Sequence, residues 1–302
     1  VFIDYDLLRP LGERWRFWRG TFYLWYSLIL DIFGVLFLLG VVLMMVRRFS
    51  FRLPQLDYAR VDREEGDYRR AGYLHDDQVF LSLLLLIGLT GFGLEAQRIA
   101  LDRPPFEVWS VVGWQLANLL DAAGLVSEGR FFAVWWVHGI LSLAFVAYVP
   151  YSKAVHILVD MASLLFTDPL AGKRLPKVRE DPDCAYQGYK TLSDFTWKEL
   201  LDFDACTKCG RCHVACPARA GGWPLSPRDL ILELREVAEA IWGGRSLLRE
   251  VAARGGVGTK GDPPAVAGGV IRAETLWSCT TCLACVEACP VGIEHVPMIV
   301  QM

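Results

Sequence analysis

Charge is what three long stretches of this 302-residue sequence lack. Residues 79–94 and 131–149 contain no Asp, Glu, Lys or Arg, and residues 21–46 contain only Asp31. A spanning helix needs about 20 mainly apolar residues, so each run is a predicted membrane span and a lipid bilayer is the expected surrounding. Three such runs within one 150-residue stretch weigh against buried core helices of a soluble domain. A small-residue cleavage site is also missing after the first run, which is too long for a signal peptide. The Gly-rich stretch 255–269 lacks the G-x-x-x-x-G-K-[ST] order of a phosphate loop and reads as a flexible connection. A starting methionine is absent too: the chain opens at Val1 and stops at Met302, soon after a cysteine motif, so a segment of a longer protein is expected. No nucleic-acid partner is expected.

Loop arginines and lysines predict the orientation. Residues 47–74 and 151–180 carry 12 of them, against 7 in 1–20 and 96–130. The 47–74 loop and everything after the last span are therefore expected on the cytoplasmic side of a multi-pass inner-membrane protein. The stretch 106–124 is too short and polar to span, and it reads as an interfacial helix. The expected organisation is a membrane domain over 1–168, with spans at about 21–46, 77–100 and 130–160 and the interfacial helix at about 106–123. A linker follows over 169–195, then a cysteine-rich domain over 196–302.

That domain contains CTKCGRCHVACP (206–217) and CTTCLACVEACP (279–290), each C-x2-C-x2-C-x3-C-P. This run supplies thiolates to [4Fe–4S] clusters, the fourth cysteine serving the other cluster. On that pattern Cys206, Cys209, Cys212 and Cys289 hold one cluster, and Cys279, Cys282, Cys285 and Cys216 hold the second. Paired CxxC motifs also bind zinc, but two complete copies of the longer run argue for iron–sulfur. The ninth cysteine, Cys184, has no partner motif and reads as a free thiol. Between the motifs, Leu230, Leu234, Val237 and Ile241 recur at helical spacing. Compact ferredoxins place their motifs close together, whereas 62 residues intervene here. The arrangement resembles the helical dicluster ferredoxin of heterodisulfide reductase and succinate dehydrogenase iron–sulfur proteins.

Two histidines, His138 and His156, bracket the last apolar run. Eighteen residues are five helical turns, so one continuous helix would put both on one face, about 27 Å apart. That is close to the thickness of the hydrocarbon core, and it suits two stacked b-type haems. His75 lies at about the depth of His156 and is a possible partner ligand or a solvated surface histidine. His213, inside the first motif, and His295, beyond the second, cannot reach. Asp31 is costly in lipid and could serve as a proton acceptor at a quinone site. Glu95 and Arg98, three apart on a helix, can pair. Tyr151 and Lys153, beside His156, could meet a haem propionate or snorkel to the interface.

HGILSLAFVAYVPYSKAVH and LTGFGLEAQRIA resemble the membrane domain of the respiratory nitrate reductase gamma-subunit family. More specifically, they resemble its fusions to heterodisulfide-reductase-type iron–sulfur domains, which include membrane electron-transfer-flavoprotein:menaquinone oxidoreductases. The resemblance implies a mainly α fold: a transmembrane helical bundle followed by a helical dicluster ferredoxin-like domain. It also implies that His138 and His156 ligate b haem, with partner histidines in helices upstream of Val1, which puts His75 in doubt. The implied activity is electron transfer between electron transfer flavoprotein, or another cytoplasmic redox protein, and menaquinone through two [4Fe–4S] clusters. A cysteine-rich CCG domain would follow this chain. The alternatives are quinol oxidation of the heterodisulfide-reductase kind and a non-catalytic electron-relay anchor.

Overall fold

The computed structural model describes residues 20–51, 53–58, 71–171, 173–174, 188–242 and 265–302. Among these the chain is mainly α, with two isolated β-bridges. Its contacts divide it into two compact units, one of residues up to 50 with 78–148, the other of 51–77 with 149–302.

The first unit is built on the apolar runs. Helix α1 (Gly20–Phe49), helix α2 (Ala71–Asp102), whose first turns belong to the second unit, and helix α4 (Glu128–Tyr148) are long enough to cross a membrane. Most of their large apolar side chains face outward, Leu43 and Leu143 among them, as suits lipid rather than water. Glycines let the helices approach. A Cβ at Gly34 would lie 2.7 Å from the Phe92 ring, and one at Gly88 would lie 2.6 Å from Leu38 Cδ2. Helix α3 (Val111–Ala122) follows a 3₁₀ turn at Pro105–Trp109 and buries Ala117 against Ala96, Ile99 and Ala100 of α2. Its 12 residues rise about 18 Å, too little to span.

The predicted span at 130–160 requires correction. Helix α4 stops at Tyr148, 3₁₀ turns cover Val149–Tyr151 and Lys153–Val155, and a new helix, α5 (His156–Leu165), begins at the histidine itself. Pro150 is the cause, since it has no N–H to give and its ring collides with the preceding turn. The Ser152 hydroxyl secures the break, donating to the Val149 carbonyl at 3.1 Å and accepting from Ala154 N–H at 3.0 Å. His138 and His156 thus lie on different helices, and the shared-face argument does not apply to them.

The second unit is a small helical domain around α6 (Trp197–Ala205) and α9 (Pro227–Trp242), with the short α8 (Pro217–Ala220) between them. Thr196 caps α6 through a reciprocal capping box with Glu199, the pairing that satisfies two otherwise unpaired N–H groups. Leu230, Leu234 and Val237 of α9 are buried in the core, while Ile241, at the end of the same stripe, is 39% exposed. Helix α5 docks on α6 through Ser163, whose hydroxyl lies 3.0 Å from both Asp202 Oδ1 and the Val291 carbonyl. Asp202, fully buried, also takes the Lys198 ammonium at 2.5 Å.

Candidate metal centres

Both cysteine motifs fold alike. Cys206 ends α6; Lys208 (φ 59°) and Gly210 (φ 73°) then turn left-handed, and α7 (Arg211–Ala215) carries Cys212. In the second motif Cys279 follows α10 (Ala273–Trp277), Thr281 (φ 51°) and Leu283 (φ 65°) turn left-handed, and α11 (Ala284–Glu287) carries Cys285. Three of these four residues are not glycine, and left-handed backbone costs such a residue roughly 1–2 kcal/mol. The repeated strain is what brings successive cysteines round to one side. Thr281 N–H donates to Cys279 Sγ at 3.4 Å, and Ile293 N–H to Cys289 Sγ at 3.4 Å. Lys208 N–H does the same for Cys206.

The one glycine of the four has a neighbour. A Cβ at Gly210 would lie 2.0 Å from the Gln55 carbonyl oxygen, because the 3₁₀ turn Pro54–Leu56 covers the first motif. Buried Arg228 holds that turn, donating Nη1–H to the same oxygen at 3.1 Å while stacking over Tyr58. In the second motif Leu283 instead packs with Val286 against Cys212, Cys285 and Val296.

The sulfurs gather in two sets of four. Cys289 comes within electrostatic reach of Cys206, Cys209 and Cys212. Cys216 comes within reach of Cys279 and Cys285. The second set lines one cavity: Cys216, Cys279, Cys282 and Cys285 together with Pro217, Leu225, Val296 and Ile299. The eight cysteines are all free thiols. Burial is the largest influence on Cys206, Cys212, Cys279, Cys285 and Cys289, pushing Cys206 up to about 11 and Cys285 up to about 12. A positively charged metal centre is what would offset that burial and make them thiolates. Among the described residues no three His, Cys, Asp or Glu side chains converge as ligands of a single ion. A cubane spreads its cysteines over separate irons and does not need such convergence. The donor set therefore fits two [4Fe–4S] clusters. Solvent reaches the sets unequally: Cys206 and Cys212 are buried, Cys282 is exposed, and Trp277, two residues before Cys279, is 88% exposed.

The histidines separate by environment. His138 Nδ1 lies 3.0 Å from Thr90 Oγ1, and a Cβ on Gly91 would touch its ring at 3.4 Å. This anchors one nitrogen and leaves Nε2 for a ligand. His156 is half-buried with Asp160 one turn ahead in electrostatic contact, and His75 is exposed on α2. His213 and His295 are buried in the second unit and pushed down to about 4 by that burial; His213 Nδ1 lies 2.6 Å from Ser226 Oγ. Arg98 pairs at 2.6 Å with Glu107 rather than with Glu95. Thr90 and Glu107 gave no signal in the sequence, since each meets its partner only through the fold. Cys184 and the whole 243–264 connection lie outside the described residues, as do the arginines of 1–19 and 59–70.

Residues 198–290 match the model of the 4Fe-4S dicluster domain. The chain thus combines helices long and apolar enough to cross a membrane with a dicluster iron–sulfur domain. The chain is 29% identical to the EtfAB:quinone oxidoreductase of Syntrophomonas wolfei over 95% of its own length and 41% of that protein. It is 34% identical to the probable iron-sulfur-binding oxidoreductase FadF of Bacillus subtilis over 62% of this chain and 30% of that one. With the probable membrane-anchored ferredoxin of Chromohalobacter salexigens it shares 38% identity over 64% of this chain and 28% of the relative. The chain thus spans less than half the length of each of these relatives. No solved structure matches it significantly.

Proposed function

We propose that this chain passes electrons one at a time between a cytoplasmic redox partner, electron transfer flavoprotein, and menaquinone in the inner membrane. The observation that carries the reading is the pair of crossed cysteine sets in a unit whose chain continues from span-length helices. Likeness to an EtfAB:quinone oxidoreductase supports the flavoprotein and the quinone.

Cys206, Cys209, Cys212 and Cys289 hold one [4Fe–4S] cluster, and Cys279, Cys282, Cys285 and Cys216 the second. The clusters supply one-electron transfer, while the protein supplies position and potential. Backbone N–H groups aimed at Cys206, Cys279 and Cys289 stabilise the reduced, more negative state. Lys208 adds a buried cation beside the first set, its Nζ 3.7 Å from the Tyr73 ring centre. The exposed edge at Cys282 is where a soluble partner can approach the second set.

His138 would hold a haem b through Nε2, since Thr90 fixes its other nitrogen. His156 is the second such ligand in this reading, steadied by Asp160, and exposed His75 is the weaker partner for it. The arginine and lysine distribution supports a cytoplasmic iron–sulfur domain.

The purified full-length protein should contain about eight irons in clusters and show a b-type reduced-minus-oxidised spectrum. Reduced electron transfer flavoprotein should bleach the cluster absorbance and drive menaquinone-analogue reduction. Zinc in place of iron would overturn the reading, as would clusters indifferent to the flavoprotein.

A further inference from the structure

The membrane unit contains a polar network that electron transfer alone does not need. Asp31 of α1 is 3% exposed. Its Oδ2 accepts the Val112 N–H at 2.5 Å, at the first turn of α3, while Oδ1 has no partner. Glu95 of α2 lies in electrostatic range of Asp31 and hydrogen-bonds the Ser110 hydroxyl. Only a glycine at 113 admits it, since a Cβ there would lie 2.9 Å from Glu95 Cδ. Ser110 joins the network together, touching Ser27 of α1 and donating to Glu107 Oε2 at 3.2 Å.

Among the described residues the charges facing this cluster are few. Helix α1 offers Asp31 and Tyr23, α2 offers Glu95 and Arg98, and the Pro105–Trp109 turn offers Glu107. The first turns of α3 offer N–H groups and the positive end of the helix dipole, worth about half a charge. Arg98 is taken by Glu107 at 2.6 Å, which also accepts from Tyr23 at 2.7 Å. Arg98 reaches Glu95 electrostatically but pairs with Glu107, so among the described residues neither Asp31 nor Glu95 has an ion pair of its own. Two adjacent carboxylates in an apolar setting do not both ionise, so the pair retains a proton, and the unpartnered Asp31 Oδ1 is where it can be exchanged. Aromatic pairs gird this end, Trp25 on Trp109 and Tyr23 on Phe106, the composition of a membrane–water boundary.

We propose that Asp31 and Glu95 form a proton-exchanging carboxyl pair that serves a quinone. This rests on the quinone reading above. Quinone reduction takes two electrons, delivered through the clusters, and two protons. In each delivery a carboxyl O–H bond breaks as a quinone O–H bond forms, and the pair regains its proton from the aqueous side.

The test uses the full-length protein in membranes, its clusters reduced by dithionite and the excess dithionite removed before menadione is added as the quinone. Asp31→Asn and Glu95→Gln should each slow menadione reduction on the order of 100-fold and flatten its pH dependence. Cluster signals by electron paramagnetic resonance should be unchanged. A protonated-carboxyl band in the redox infrared difference spectrum should vanish in both variants. Wild-type rates, pH profile and infrared band in both variants would overturn the proposal alone. Failure of the wild type to reduce menadione with its clusters reduced would sink the quinone reading and this proposal together. Where Asp31→Asn disturbs folding, Glu95→Gln decides, because glutamine keeps the Ser110 hydrogen bond.

Discussion

The Thr90 hydroxyl lies 3.0 Å from Nδ1 of His138. One helix thereby sets the orientation of a ring on another, as oriented metal-binding histidines require. Thr90→Val removes that partner while keeping the shape. The expected outcome is a haem b spectrum that persists with affinity reduced on the order of 10-fold or more, whereas His138→Ala removes the contribution of the haem that His138 holds. Spectra recorded during haem titration check both.

The crossed cysteine sets, already expected from the motif spacing, make a prediction. Cys216 belongs to the first motif but sits with Cys279 and Cys285 of the second. Cys216→Ala should disturb the cluster signal that Cys279→Ala also disturbs, and leave the signal that depends on Cys206. Resonance spectra of the three variants, with iron content, measure this.

Gly210 needs both its left-handed backbone and its missing side chain, with the Gln55 oxygen only 2.0 Å from where a Cβ would stand. Gly222 is left-handed too (φ 84°), but nothing lies within 4 Å of its added Cβ. Gly222→Ala should cost about 1 kcal/mol. Gly210→Ala should cost more, about 2 kcal/mol or beyond, and loosen the 53–58 turn. Thermal unfolding of the two variants gives the comparison.

Burial keeps His295 neutral and pushes it down to about 4, against an ordinary value of 6.5. The unfolded chain therefore binds a proton that the folded one refuses between those values. Stability is complete above about pH 6.5 and falls as the pH drops toward 4, by about 3 kcal/mol from this group. His295→Leu should flatten that part of the pH–stability curve, as followed by denaturant unfolding.

The elements whose signals are local were legible from the chain. Cysteine spacing is covalent, and it pointed to two sets of sulfurs that the fold brings together. The apolar runs 21–46 and 79–94 lie within single helices, α1 and α2. Glu95 and Arg98 had the spacing of a helical pair, yet Glu107 takes the arginine because the Pro105–Trp109 turn folds back over α2. At Pro150 the last run divides into two helices joined by 3₁₀ turns, a break that apolar periodicity alone does not mark. Thr90 beside His138, 48 residues apart, depends on helix packing, which spacing does not encode.

The crossing of the two sulfur sets also bears on biosynthesis. The first three cysteines emerge from the ribosome early, but their fourth, Cys289, lies at the end of the second motif. Neither set is complete until almost the whole domain has been translated. A nascent chain that has made only the first motif presents three thiols and no finished binding site, so cluster loading has to wait for the second. Maturation is thereby tied to completion of the domain, and a truncated product would lack both centres rather than one.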